Sequence, residues 1–407
     1  MLQLRAFLGP GGGTRATNRR RILIAVMIKA DSQTGIARRT QLSQGTVSSA
    51  VKELERDGVV QVDRAAHSAG AGRGTLVQLC PADGVAVGVH IGYSEATVVA
   101  RRVDLEHGDV FVQHTRGGAD HGLQAVLPRI KEMIGSVVDE TGLGLKDVLS
   151  LGVAVPGMLD PRLNRFATPV LPPWNAEDDP AGGLGEWLRT AGGAMVPAVQ
   201  DNDANLAALA EQTYDTEEHA ETLVYVKAST GVGAGVVIGN RVIRGERGMA
   251  GEIGHLTLRP DGAMCHCGGR GCLDTIVGGD ALVGQVRQAL KARRATDLPR
   301  DLPSLIARAK AQDAVCLRVL QDAGHTLGFA LAQVCNLLNP NLIVLGGHLA
   351  SAGDIVLEPC RQSLRRYALR GAVSDGFRLK LSALDTLAEA QGALVLGLSK
   401  HEVSGEE

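Results

Sequence analysis

The sequence predicts an α/β protein in which a small basic helical module with a wing precedes two related α/β lobes facing across a cleft. Three observations carry this expectation. Charge is divided unevenly, with 12 Lys or Arg against 5 Asp or Glu in residues 1–80 although the whole chain has a net charge of only −2; such asymmetry is the mark of a nucleic-acid module joined to something else. A glycine-centred pair of apolar runs occurs twice, as VAVGVHIGYSEATVVARRVDL from Val85 and as ETLVYVKASTGVGAGVVIGNRVI from Glu221. A hairpin of one kind opening each half suggests an internal repeat. Finally, Cys265, Cys267 and Cys272 fall within eight positions, far denser than free thiols are usually placed.

Residues 1–17 are Gly-rich and aperiodic and are expected to form a flexible arm. The module spans residues 18–80. Ile22, Leu23, Val26, Met27 and Ala30 recur at helical spacing, giving a first helix of about three turns. Thr34 to Arg39 can form a short second helix, Thr40-Gln41-Leu42 a turn, and Ser43 the N-cap of a third helix reaching about Asp57. Val47, Ala50, Val51 and Leu54 share one face of that third helix, while Gln44, Thr46, Ser48, Ser49 and Lys52 lie largely on the other. Val59 to Val62 and Leu76 to Leu79 read as two strands around a glycine-rich tip that carries Arg73. This is a winged helix-turn-helix pattern, and its partner is double-stranded operator DNA. Gln44, Thr46, Ser48 and Ser49 are expected at base edges, with Arg38, Arg39, Lys52 and Arg73 on phosphates.

Pro81 to Gly84 marks the boundary, after which a first lobe is expected over 84–202, a second over 203–384, and a closing helix and tail over 385–407. Leu149 to Val155 and Leu342 to Leu345 read as buried strands, and helical patterns occupy Leu123 to Glu140, Asn205 to Tyr214, Ala281 to Arg294 and Ala314 to Leu338. With 44% apolar residues, 3% aromatics and 52 glycines, the cores must be built from Ala, Val, Leu and Ile around many glycine turns. No apolar run approaches a membrane span or the core of a signal peptide. The expectation is a soluble cytoplasmic protein, associated with the nucleoid when bound to DNA, with no membrane partner.

Loop 255–272 holds the metal candidates. Zn²⁺ takes four thiolate or imidazole ligands at tetrahedral corners. Cys265, Cys267 and Cys272 supply three; His266 should point away in an extended Cys-x-Cys, leaving His255 as the fourth. The glycine run Ser229 to Gly235 could bring backbone N–H groups to phosphate oxygens, yet no Gly-Lys-Ser/Thr follows it, so a tight hairpin without a ligand is equally compatible.

Taken together these residues resemble the ROK family, which combines sugar kinases with sugar-responsive transcriptional regulators. Gly251-Glu252-Ile253-Gly254-His255 followed by Cys265-x-Cys267-Gly268-x-x-Gly271-Cys272 is the most specific part of the resemblance. It implies an actin-like (ribonuclease H-like) two-lobed ATPase fold, structural zinc on His255, Cys265, Cys267 and Cys272, and a homodimer or homotetramer. It also implies a sugar site formed by Asn202, Asp203, Glu252, His255 and Asp274, with Asp203 standing where family kinases keep their catalytic base. Thr230, Gly231, Gly233, Gly346 and Gly347 are the candidates for vestigial nucleotide contact. The winged module is similar to the regulator branch.

The departures matter most. Family kinases begin the first lobe with Asp-x-Gly-x-Thr, whereas this chain has His90-Ile91-Gly92-Tyr93-Ser94. His is a poor partner for hard Mg²⁺, and Tyr93 adds bulk. Asp274 replaces a Glu. Phosphoryl transfer depends on positioning and metal-assisted charge neutralisation, so the expected protein is a non-enzymatic repressor with a sugar effector. The alternatives are an active sugar kinase that also binds DNA, and a DNA binder whose sugar site has decayed.

Overall fold

A computed structural model describes residues 2–8, 13–63, 75–106, 109–167, 173–214, 220–292 and 298–403. Each lobe is built on a five-stranded sheet, and the two sheets share one topology. In the first, Val85–Ile91 pairs antiparallel with Glu95–Arg102, which pairs with Phe111–Arg116. On its other side lie Val148–Val155 and then Ala198–Asn202, both parallel. In the second, Thr222–Ala228 pairs with Val232–Ile238, which pairs with Arg241–Val242; Leu342–Gly346 and Arg378–Leu381 follow in parallel on the other side. The repeated glycine hairpin is therefore the antiparallel centre of each sheet.

Val85–Ile91 and Val148–Val155 are buried along their whole length, which is why both read as near-continuous apolar runs. Their inner face is covered by the closing helix, Ala388–Val403. That helix comes so close that a Cβ at Gly88 would stand 2.0 Å from the Ala390 carbonyl oxygen, and one at Gly152 1.8 Å from that of Ala393. The segment expected at 385–407 thus packs on the first lobe although it follows the second. Helix Asp203–Tyr214 lies between it and the second sheet and is buried on nearly all sides, as its alanine-rich sequence requires.

The N-terminal module is a winged helix-turn-helix. Thr14–Ile28, Gln33–Thr40 and Gln44–Arg56 are its helices. Ser32 and Ser43 cap the second and third through their hydroxyls, accepting from the Gly35 and Thr46 amides. Asp31–Ser32, Leu76–Leu79 and Val60–Asp63 form the wing sheet. The arm expected at 1–17 is corrected: Leu2–Gln3 pairs with Ala82–Asp83, Leu4 and Leu8 are buried, and the first long helix begins at Thr14. Leucine burial wins over the glycine-rich composition there. No described helix is long and apolar enough to cross a membrane.

Candidate functional site

The cleft between the lobes holds a cavity of 540 Å³ lined by residues of both sheets. Helix Asp203–Tyr214 points its N-terminus into this cavity. Asn202 caps that helix: its Oδ1 accepts from the Ala204 and Asn205 amides at 3.0 and 3.2 Å, and its Nδ2 donates to the Gly157 carbonyl at 3.0 Å. Its amide thereby ties the start of that helix to the turn that follows strand Val148–Val155. Asp203 stands beside it, 7% exposed.

The partner of Asp203 is a residue that the sequence pattern had not singled out. Lys227 donates from Nζ to Asp203 Oδ2 at 2.5 Å and lies 3.4 Å from His90 Nε2, itself 3.8 Å from the same carboxylate oxygen. Burial alone would raise the Asp203 pKa; Lys227 and His90 outweigh it and hold the carboxyl far below its usual range. The signal was available as a lysine inside the otherwise apolar strand LVYVKA. Across the cleft, His348 Nε2 meets Glu95 Oε1 at 3.2 Å, which joins the hairpin of the first lobe to the loop after Leu342–Gly346.

Glu252, His255 and Asp274 face the same cavity. Burial, reinforced by Asp203 and Asp274, raises Glu252 to about 7, so near neutrality its carboxyl can donate as well as accept hydrogen bonds to hydroxyls. Asp274 Oδ1 accepts from the Val232 amide at 2.9 Å, which ties the metal loop to the second glycine hairpin. Thr230, Gly231, Gly233 and Gly347 line the cavity. Gly346 does not; it closes a strand against Tyr225, whose hydroxyl would stand 1.8 Å from a Cβ there. Tyr93 lies at the rim, 39% exposed. Trp174 packs edge-on against Phe166 at 5.4 Å and is buried.

His255, Cys265, Cys267 and Cys272 converge, their ligand atoms all within 4.8 Å of one another. His255 Nδ1 is 3.6 Å from Cys265 Sγ, and Cys267 Sγ is 3.7 Å from Cys272 Sγ. A tetrahedral ion with Zn–S bonds of about 2.3 Å needs S···S edges of about 3.7–3.8 Å, which the Cys267–Cys272 edge matches, so the four residues could hold a metal. His255 Nε2 remains free for the cleft, 3.8 Å from Glu252 Oε2. His266 does not point away as expected: its ring stacks edge-on against His255 at 5.5 Å, and its Nδ1 lies 3.9 Å from Asp274 Oδ2.

On the recognition helix Gln44, Ser49 and Lys52 are exposed, with Thr46 and Ser48 half-buried. The Thr46 hydroxyl is 2.9 Å from the capping hydroxyl of Ser43. Arg38 is exposed. Arg39 is not placed for phosphate contact. Its guanidinium donates to the carbonyls of Ala25 and Lys29 at 2.9 and 2.7 Å and pairs with Asp31 at 3.3 Å; it fastens the first two helices together. Arg73 lies outside the described residues.

A winged reading head joined to a two-lobed kinase-like body defines the class, a regulator of transcription with a built-in ligand cleft. The chain belongs to the ROK family, whose profile matches residues 86–400, and the MarR family profile matches residues 15–74. It is 25% identical over 386 residues to the xylose repressor of Caldicellulosiruptor bescii, covering 91% of this chain and 92% of that one. It is 27% identical to the DNA-binding transcriptional dual regulator NagC of Escherichia coli over 83% of this chain and 82% of that one. A glucokinase of Halalkalibacterium halodurans is 36% identical over 198 residues, 46% of this chain and 60% of the kinase. Among solved structures, a ROK family transcriptional regulator described as a homologue of the E. coli MLC protein superposes with a TM-score of 0.71 at 24% identity, covering 96% of this chain and all of that one. The ROK glucokinase of Streptomyces griseus in complex with glucose and AMPPNP gives 0.65 at 25% identity, over 77% of this chain and 99% of that one.

Proposed function

We propose that the protein is a cytoplasmic DNA-binding repressor whose ROK domain binds a sugar or sugar derivative and does not phosphorylate it. The observation that carries this reading is the Lys227–Asp203–His90 cluster. A general base must accept a proton, whereas Asp203 is pinned as a buried carboxylate by an ammonium group from its own chain. Lys227 supplies an ammonium and His90 a ring nitrogen where a kinase needs oxygen ligands for Mg²⁺. What remains is a cleft with carboxylates, imidazoles and backbone amides suited to neighbouring hydroxyls.

Glu252, the Nε2 of His255 and Asp274 are the groups we assign to the sugar, with Asp203 presenting its remaining lone pairs. Structural zinc on His255, Cys265, Cys267 and Cys272 would fix the ring orientation of His255 and brace the loop that presents Glu252 and Asp274. The repressor relatives support operator binding, with Gln44, Thr46, Ser48, Ser49 and Lys52 as the reading face and Arg38 and Arg73 on phosphates. A homodimer or homotetramer follows from the paired half-sites that helix-turn-helix proteins read.

Two assays test this reading. D-glucose, D-xylose, N-acetylglucosamine and related hexoses, pentoses and amino sugars are screened by thermal shift, since a ligand that binds the native state raises its melting temperature. At least one should do so. The same panel with Mg-ATP should release no ADP above background. Turnover abolished by Asp203→Asn would establish the kinase alternative instead, and no thermal response to any sugar would establish a decayed site.

A further inference from the structure

The winged module is held by two different parts of the body. The first anchor belongs to the first lobe. Arg101, 1% exposed, reaches from its strand to the end of helix Thr14–Ile28 and donates to the carbonyls of Met27 and Ile28 at 2.6 and 2.9 Å. The same helix packs against the closing helix Ala388–Val403, itself fixed on the first sheet.

The second contact belongs to the second lobe. Gly239 and Asn240 form the tip between strands Val232–Ile238 and Arg241–Val242. Gln41, in the turn before the recognition helix, donates from Nε2 to the Gly239 carbonyl at 3.0 Å, and Asn240 Nδ2 points to the Arg39 carbonyl at 3.5 Å. Asn240 Oδ1 in turn accepts from Gln212 Nε2 at 3.0 Å. Gln212 stands near the far end of helix Asp203–Tyr214, about 14 Å along the axis from Asp203 in the cleft. Lys29 adds a bond to the Thr213 carbonyl at 3.3 Å.

We propose that the Gly239–Asn240 tip is the finger through which the second lobe sets the angle of the recognition helix. This rests on the sugar-sensor reading above. Closing a two-lobed cleft on a ligand rotates one lobe against the other, and the reading head touches both. One contact must slip. The Arg101 contact is buried, charged and doubly bonded at 2.6 and 2.9 Å, so it holds; the Gln41, Asn240 and Lys29 contacts are longer, at 3.0, 3.5 and 3.3 Å, and none of these bonds is fully buried, so they yield. Closure therefore moves the tip against the turn that leads into Gln44–Arg56, and the spacing of two reading heads in an oligomer changes.

The test is Gln41→Gly with Asn240→Gly. Both residues sit at positive φ, 54° and 67°, where glycine removes the side-chain amide without backbone strain. The DNA probe is a duplex selected from a random pool by the wild-type chain, and the sugar is the one that raises the wild-type melting temperature. In the wild type the sugar should change DNA affinity by about 5–150-fold, the usual range for coupled sites. In the double variant the sugar should still raise the melting temperature, while its effect on DNA affinity falls below about 2-fold; a fully retained ratio overturns the finger. Asn240→Gly alone, far from any base, should already reduce the ratio. Failure of the underlying reading looks different, because the wild type itself would then show no sugar-dependent ratio.

Discussion

Replacing Lys227 by Met removes an ammonium group and keeps the aliphatic length, leaving Asp203 as a buried carboxylate with the His90 ring, 3.8 Å away, as its neighbour. Breaking a buried ion pair from one side costs about 3–5 kcal/mol. With an unfolding entropy near 2.1 cal/mol/K per residue, a chain of 407 residues loses roughly 4–6 °C of melting temperature for that amount. Asp203→Asn should cost a similar amount, since it strands Lys227. The double variant buries no unpaired charge, so it should be more stable than the sum of the single effects implies by about 2–3 kcal/mol. Calorimetry at neutral pH is the assay. Asp203 is held far below the usual carboxylate range, so its contribution is complete above the unfolded pKa and is lost only as pH falls through the folded one. Costs that add within about 0.5 kcal/mol would show the two groups to be uncoupled and would remove the reason for denying Asp203 a role as base.

Four further outcomes are expected. Cys267→Ser should abolish bound zinc by elemental analysis and lower the melting temperature together with the sugar response; zinc retained at an unchanged melting temperature would contradict the ligand set. Arg38→Ala should weaken DNA binding alike across sequences and reduce the salt slope by about one. Arg39→Ala should instead cost about 2–4 kcal/mol of stability through its stranded carbonyls; an unchanged melting temperature would return Arg39 to the DNA surface. The pairing with Glu95 raises the His348 pKa, so this bridge stabilises fully below the ordinary His value and is lost as pH rises through the raised one. The melting-temperature gap between wild type and His348→Gln should therefore be wide at about pH 6 and narrow at about pH 9; an equal gap at both would show that the bridge contributes nothing.

Much of the fold was legible because its signals are local. Ser43 as a cap, the apolar stripe of Val47, Ala50, Val51 and Leu54, and the two glycine hairpins each announce themselves within a few residues. Helix Pro180–Gly192 was not expected, since its four glycines depress helix propensity and the contacts that call for them are tertiary or at the helix ends: a Cβ would stand 2.7 Å from Ala198 at Gly185, 2.7 Å from the Leu145 carbonyl oxygen at Gly192 and 2.2 Å from the capping Asp179 carboxylate at Gly182. The closing helix could be placed in sequence but not in space, because its seat on the first sheet is set by Gly88 and Gly152, some 300 and 240 positions away. The convergence of His255 with Cys265, Cys267 and Cys272 was legible from spacing, whereas the pairing of Lys227 and the partial burial of Arg39 depend on neighbours that only the tertiary structure supplies. Charge in a sequence does not say which way a side chain faces.

The central claim is that a sugar in the cleft controls DNA affinity without being phosphorylated. Fluorescence anisotropy of the selected duplex, with and without the stabilising sugar and with no nucleotide present, tests it most directly. The dissociation constant should rise at least about 5-fold on adding sugar alone. A constant unchanged by a sugar that raises the melting temperature, or changed only when Mg-ATP is supplied, would contradict it.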